Sequence, residues 1–159
     1  RWPDGNFAAV LRQFRDRSDL PVQVFLGPRE EAWFAGSELA SACEGLPDVE
    51  IVSGKSLPQV ARLLARCTAL ITNDSGPAHF ATLTPVDVIT LFGPETPELF
   101  GAPTPRNHVI CAGLACSPCV NAFNDRYTPC QDNRCMQEIQ VEQVFRQVCQ
   151  AYELRRGSS

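Results

Sequence analysis

Between Leu70 and Pro94 the chain reads LITNDSGPAHFATLTPVDVITLFGP, and no other stretch limits the fold as strongly. The apolar run Leu70 to Thr72 reads as a buried strand and stops at the polar turn Asn73-Asp74-Ser75-Gly76. Pro77 then opens a helix, at a position where a missing N–H costs nothing. A second apolar run, Val86 to Phe92, closes on Gly93-Pro94. Strand, turn, helix and strand make a βαβ unit. Its turn lies at the C-terminal end of a strand, where open α/β sheets bind ligands. It also lies at a helix N-terminus, where free N–H groups and the helix dipole favour phosphate. With Asp74, Ser75 and His79 crowded around it, the turn is a candidate phosphate site.

The remaining chain continues the alternation. Asn6 to Arg17 carries Phe7, Val10, Leu11 and Phe14 at helical spacing, and Val22 to Leu26 reads as a strand ending at Gly27-Pro28. A helix is expected from Arg29-Glu30-Glu31 to about Cys43, then a short strand over Val49 to Val52. Ser56 can cap the next helix, whose apolar face holds Val60, Leu63 and Leu64. After the Leu70–Pro94 unit come a strand near Val109, a cysteine-rich loop over 111–136 and a final helix over about 138–155. That helix shows Val141, Val144, Phe145, Val148 and Tyr152 on one side. Such alternation predicts an α/β fold, a doubly wound Rossmann-like parallel sheet, in a single domain spanning 1–159.

Composition agrees with a globular domain. The 159 residues are 44% apolar and 20% charged, enough to bury a core. Net charge is −4 and the strongest basic run is Arg155-Arg156, which argues against a nucleic-acid partner. No apolar run approaches the ~18 residues of a membrane span, and no secretory signal opens the chain. Arg1-Trp2-Pro3-Asp4 enters a helix with no preceding strand, the start expected of a piece cut from a longer protein. Gly157-Ser158-Ser159 reads as a frayed end or an appended tail.

Each candidate residue carries two readings. Asp74 and Ser75 are ordinary capping residues before a helix. Alternatively, Ser75 and the N–H groups from Gly76 onward bind a diphosphate, with Gly76 present because a side chain would block close approach. Asp74 suits a sugar hydroxyl better than a phosphate, since like charges repel. His79, on the first turn of the helix, is either a structural hydrogen-bonder or a group that offsets charge on a departing phosphate. His108 reads as a surface residue. Glu30 and Glu31 follow a strand; one suits the helix dipole, and the other can hold ribose hydroxyls. Lys55, before the Ser56 cap, reads as solvent-facing, though it too follows a strand. The broken segment GPETPELFGAPTP, Gly93 to Pro105, is expected beside the Asp74 turn as a second loop over one crevice.

Dinucleotide, Walker, serine-triad and zinc-protease motifs are all absent, as are an evident nucleophile and general base. What remains looks like half of an active site. Of eight cysteines, Cys43, Cys67, Cys111 and Cys149 stand apart in or beside periodic elements. The other four, Cys116-x-x-Cys119 with Cys130 and Cys135, allow a structural zinc, one or two disulfides, or free thiols.

Several of these segments together resemble family nine glycosyltransferases, the heptosyltransferases of bacterial lipopolysaccharide synthesis. The resemblance is carried by Arg1-Trp2-Pro3, Ser56-Leu57, Asn73-Asp74-Ser75-Gly76-Pro77-Ala78-His79 and Leu91-Phe92-Gly93-Pro94-Glu95-Thr96-Pro97. The cluster from Cys116 to Met136 looks like one found in a subset of the family. The resemblance implies the C-terminal, donor-binding half of a GT-B enzyme. It implies that Asp74, Ser75, Gly76 and His79 line the site for an ADP-activated sugar, ADP-heptose, with Glu30 or Glu31 at the nucleoside and Lys55 near the base. By the same resemblance the first strand of this half, its phosphate-binding lysine and the catalytic base lie outside residues 1–159. No catalytic residue is therefore expected here, and the chain alone should be inactive. A lipid A–core acceptor would be met through the other half. No metal would be needed for catalysis, and the protein would be cytoplasmic, working at the cytoplasmic face of the inner membrane. The competing reading is a non-enzymatic nucleotide- or zinc-binding module.

Overall fold

In a computed structural model of the chain, residues 1–120, 122–125 and 127–156 are described. The Gly157–Ser159 tail therefore lies outside the described residues. The elements alternate as the sequence requires: α1 Asp4–Arg15, β1 Val22–Phe25, α2 Glu31–Phe34, α3 Glu38–Cys43, β2 Val49–Val52 and α4 Leu57–Leu64. They continue with β3 Ala69–Asn73, α5 Gly76–Ala81, β4 Asp87–Phe92, α6 Pro97–Phe100, β5 Asn107–Cys111, α7 Arg134–Gln137 and α8 Val141–Arg156. All strand pairs are parallel, β1 with β2 in one ladder and β3-β4-β5 in another. The chain divides into two compact units, Pro3–Val60 and Arg1–Trp2 with Ala61–Ser159.

In the Pro3–Val60 unit, β1 and β2 run in register from Val22↔Val49 to Phe25↔Val52. Ala8, Leu11 and Ala42 form its core, with Val22, Leu39 and Val49 packed around them. The helix expected from Arg29-Glu30-Glu31 to about Cys43 is broken at Ala35-Gly36-Ser37. Ser37 is buried and its Oγ accepts the Ala40 N–H at 3.0 Å, so it caps α3 as a separate helix. Before α4 the expected cap is inverted. Gln59 Oε1 accepts from the Ser56 N–H at 2.8 Å and from its hydroxyl at 2.9 Å, the backward half of a capping box.

The larger unit is built on β4, whose residues Val88 to Phe92 are all buried. Adjacent strand residues point to opposite faces, so both faces of this sheet are covered, as in parallel sheets generally. α8 packs along β3, β4 and β5 through Val144, Phe145, Val148 and Ala151, while Tyr152 is only half-buried. Trp2 is the largest fully buried side chain. Its indole N–H donates to the Ile139 carbonyl at 3.0 Å, and its backbone N–H donates to Asn73 Oδ1 at 2.8 Å. The start of the chain is thereby fastened to the residue that opens the Asp74 turn. His108, expected at the surface, is instead half-buried across the sheet, with Nε2 3.0 Å from Asp87 Oδ1. The period-two pattern of β5 contains no signal for this partner, which comes from the neighbouring strand.

Candidate functional site

β3 ends at Asn73, and the Asp74 N–H donates to the Leu91 carbonyl of β4 at 3.0 Å, which continues the ladder into the turn. Ser75 has an extended backbone and occupies the N-cap of α5, yet it makes no side-chain cap. Its hydroxyl turns back and donates to the Asn73 carbonyl at 3.0 Å. The capping reading of Ser75 is therefore not realised. Pro77 falls at the second helical position rather than the first, because Gly76 already opens α5. The helix is only six residues long. It ends before Thr84-Pro85, since a residue preceding proline avoids helical backbone. Its dipole is correspondingly small, so polar side chains carry more of the site's chemistry than the helix does.

A shallow depression, with no room inside it for a water molecule, lies between α5 and α6 across β4. It is lined by Asp74, Ala78 and His79 on one side, Thr90 and Phe92 beneath, and Phe100, Gly101, Ala102 and Asn107 on the other. Asp74 and His79 thus share this depression with part of the Gly93–Pro105 segment, as expected of two loops over one crevice. Asp74 is half-buried and His79 exposed. The His79 ring makes no hydrogen bond or ion pair among the described residues, which leaves it available to a ligand. Ser75, at the N-cap, and Gly76, the first residue of α5, are both exposed.

Glu30, Glu31 and Lys55 belong to the other unit. There β1 and β2 are parallel, so Glu30 and Lys55 follow the same end of that ladder. The two glutamates differ. The Glu30 carboxylate folds over Gly27, where a Cβ would come within 2.6 Å of Oε2, and it is half-buried. Glu31 is exposed, so Glu30 is the glutamate held at the strand end. Lys55 is exposed after Gly54, whose φ of +63° suits glycine.

The cysteine loop gathers beside β4. The Cys119 and Val120 N–H groups both donate to the Pro94 carbonyl at 2.9 Å, and Ser117 Oγ donates to the Gly93 carbonyl at 2.6 Å. Gly93 must lack a side chain: a Cβ would meet Met136 Sδ at 2.5 Å and Cys135 Sγ at 3.4 Å. Thr128 joins the loop to itself, donating to Cys119 Sγ at 3.4 Å and accepting from the Cys130 N–H at 3.2 Å. Burial pushes the Cys135 thiol up, and the charges of Cys119, Cys130 and Cys116 push it further the same way. Among the described residues no two cysteines are joined by a disulfide. Among the described residues no three Cys, His, Asp or Glu side chains are disposed to hold a metal ion. A tetrahedral zinc at Cys116, Cys119, Cys130 and Cys135 would therefore require the sulfurs to draw together.

Parallel strands joined by helices, with a polar turn at the end of β3, define a Rossmann-like α/β protein with a ligand-type site. The chain belongs to glycosyltransferase family 9, the heptosyltransferase family, whose profile matches residues 1–127. It is 29% identical over 153 residues to lipooligosaccharide heptosyltransferase 2 of Campylobacter jejuni, covering 93% of this chain and 46% of that protein. It is 30% identical over 101 residues to lipopolysaccharide heptosyltransferase 2 of Escherichia coli K12, covering 62% of this chain and 28% of that one. Among solved structures, E. coli ADP-heptose lps heptosyltransferase II superposes with a TM-score of 0.77 at 21% identity, over 98% of this chain and 43% of the other. E. coli heptosyltransferase WaaC with ADP gives 0.59 at 27% identity, over 69% and 32%. The chain thus spans less than half the length of the curated relatives it matches. Among the described residues no helix is long and apolar enough to cross a membrane.

Proposed function

We propose that this chain is the donor-binding half of a heptosyltransferase and that the Asp74–His79 turn receives the ADP-activated sugar. The observation that carries the reading is the convergence of Asp74 and His79 on one depression in a family 9 chain. One relative, E. coli heptosyltransferase WaaC, solved once with ADP and once with ADP-2-deoxy-2-fluoro heptose, supports a nucleotide-sugar ligand for it. In this reading Ser75 and the N–H groups that follow it meet the diphosphate, and Asp74 accepts a hydrogen bond from a sugar hydroxyl. His79 donates to an oxygen that gains charge as the diphosphate leaves. Glu30 holds the nucleoside portion and Lys55 lies near the base.

The reaction breaks the bond between the anomeric carbon and the diphosphate oxygen and forms one to an acceptor hydroxyl on a lipid A–core saccharide. The hydroxyl proton passes to a general base. That base belongs to the other half of the enzyme, so residues 1–159 bind donor without transferring it. The reaction needs no metal, and the protein works in the cytoplasm, at the inner membrane where such acceptors are built. Calorimetric titration with ADP-heptose tests the reading. Asp74→Ala and His79→Ala should each weaken binding by roughly tenfold, the loss of one charge-assisted hydrogen bond. Unchanged affinity in both variants would contradict it.

A further inference from the structure

Arg1 and Trp2 are fastened to the larger unit at several points. The Asn133 side-chain amide donates to the Arg1 carbonyl at 3.2 Å, and the Trp2 indole N–H donates to the Ile139 carbonyl at 3.0 Å. With Trp2 only 1% exposed, the segment is a fixed post. The Trp2 backbone N–H lies inside that packing, where a donor left unpaired would be costly. Asn73 Oδ1 accepts it at 2.8 Å. An N–H can only donate, so the Asn73 amide presents its oxygen there.

Asn73 also closes β3, opposite Leu91 of β4. Its carbonyl accepts the Thr72 hydroxyl at 3.1 Å and the Ser75 hydroxyl at 3.0 Å. The following N–H, that of Asp74, makes the last ladder bond to the Leu91 carbonyl. One residue therefore joins the end of a strand, the first bend of the Asp74–His79 turn and the Arg1–Trp2 post. Asparagine is a poor strand former, and a β-branched residue would suit the ladder better. Its amide answers to Trp2. Past Asp74 the ladder stops, so the exposed residues Ser75 and Gly76 take their direction from Asn73.

We propose that Asn73 is a positioning residue of the donor site: tied to the Trp2 N–H, it holds the Asp74–His79 turn in the geometry that receives a nucleoside diphosphate. The inference rests on the nucleotide-sugar reading above and adds a residue that acts through the turn. A turn that is competent only part of the time binds with an affinity reduced by that fraction. Calorimetry with ADP and amide spectra of the full chain test it, with thermal midpoints recorded for every variant. Asn73→Ala should weaken ADP roughly fivefold, as for a turn competent about one-fifth of the time. It should also move the Trp2, Asp74, Ser75 and Gly76 amide resonances before any ligand is added. Asn73→Asp keeps an oxygen for Trp2 and should return those ligand-free resonances towards wild type, although its charge beside Asp74 repels ADP. Ser37→Ala, which removes a helix cap in the Pro3–Val60 unit, is the control for stability alone. It should lower the midpoint while ADP affinity stays within about twofold. If Asn73→Ala does not fold, Asn73→Ser, whose hydroxyl is too short to reach Trp2, is read in its place. A variant that loses stability as Ser37→Ala does but binds ADP like wild type overturns the proposal and leaves the functional reading intact. Turn resonances that do not move have the same consequence. Wild-type chain that binds no ADP overturns the functional reading and this proposal with it.

Discussion

At Gly76 a Cβ would meet nothing nearer than Phe80 Cε2, 3.7 Å away, and the backbone lies outside the left-handed region. Nothing in the fold asks for glycine there, and within a helix alanine is the better former by up to about 1 kcal/mol. Gly76→Ala should therefore leave the thermal midpoint unchanged or raise it. If ligand approaches the turn closely, the same variant should lose several-fold in ADP affinity by calorimetry. A variant that is both stable and fully competent to bind would remove Gly76 from the site. The contrast with Gly93 is instructive, because there the buried Met136 side chain occupies the space that a Cβ would need. Sequence alone flagged Gly76 as a close-approach position and read Gly93 only as the end of a strand and the start of a loop, since the crowding at Gly93 comes from a residue more than forty positions away. Asp74 and His79 were legible because they share one turn and one short helix. The bond between Trp2 and Asn73 was not, because it joins residues 71 positions apart.

Among the elements, strands were read most accurately. Val49 to Val52 matches β2 residue for residue, and the other strands agree to within one or two positions, because short apolar runs bounded by turns have few alternatives. One helix was read as longer than it is. The stretch from Glu30 to Cys43 reads as one periodic helix, yet Ser37 divides it by capping α3. Ser37→Ala should destabilise the protein by about 1 kcal/mol in urea unfolding, the usual cost of losing a serine cap. A change under a few tenths would mean that the Ala40 N–H finds another acceptor. α5 was expected at a helix N-terminus able to favour phosphate through its dipole, and its six residues reduce that role. The chemistry moves instead to the side chains at its mouth.

At the scale of the whole molecule, three thiols bear on stability in alkali. Burial raises the pKa of Cys67, Cys43 and Cys135 above their ordinary value of 9.0. A thiol that ionises less readily when folded binds its proton more tightly in the native state. Its stabilising contribution is complete below the unfolded pKa and is lost as pH rises through the folded one. Urea midpoints under reducing conditions should therefore fall as the pH rises above the ordinary thiol value of 9.0. Replacing these three cysteines by alanine should flatten that slope, whereas an unchanged slope would assign the alkaline loss to other groups. The parallel ladders and their register are the other whole-molecule property, and they follow from the repeating strand–helix order.

The account's central claim is that the turn from Asp74 to His79 receives the sugar nucleotide. Amide chemical shifts of the full chain, followed through a titration with ADP-heptose, test it most directly. The account predicts saturable shifts that are largest from Asp74 to His79 and from Phe100 to Ala102. Shifts confined to other regions, such as the Cys116–Cys135 loop, with these residues silent at saturation, would contradict it.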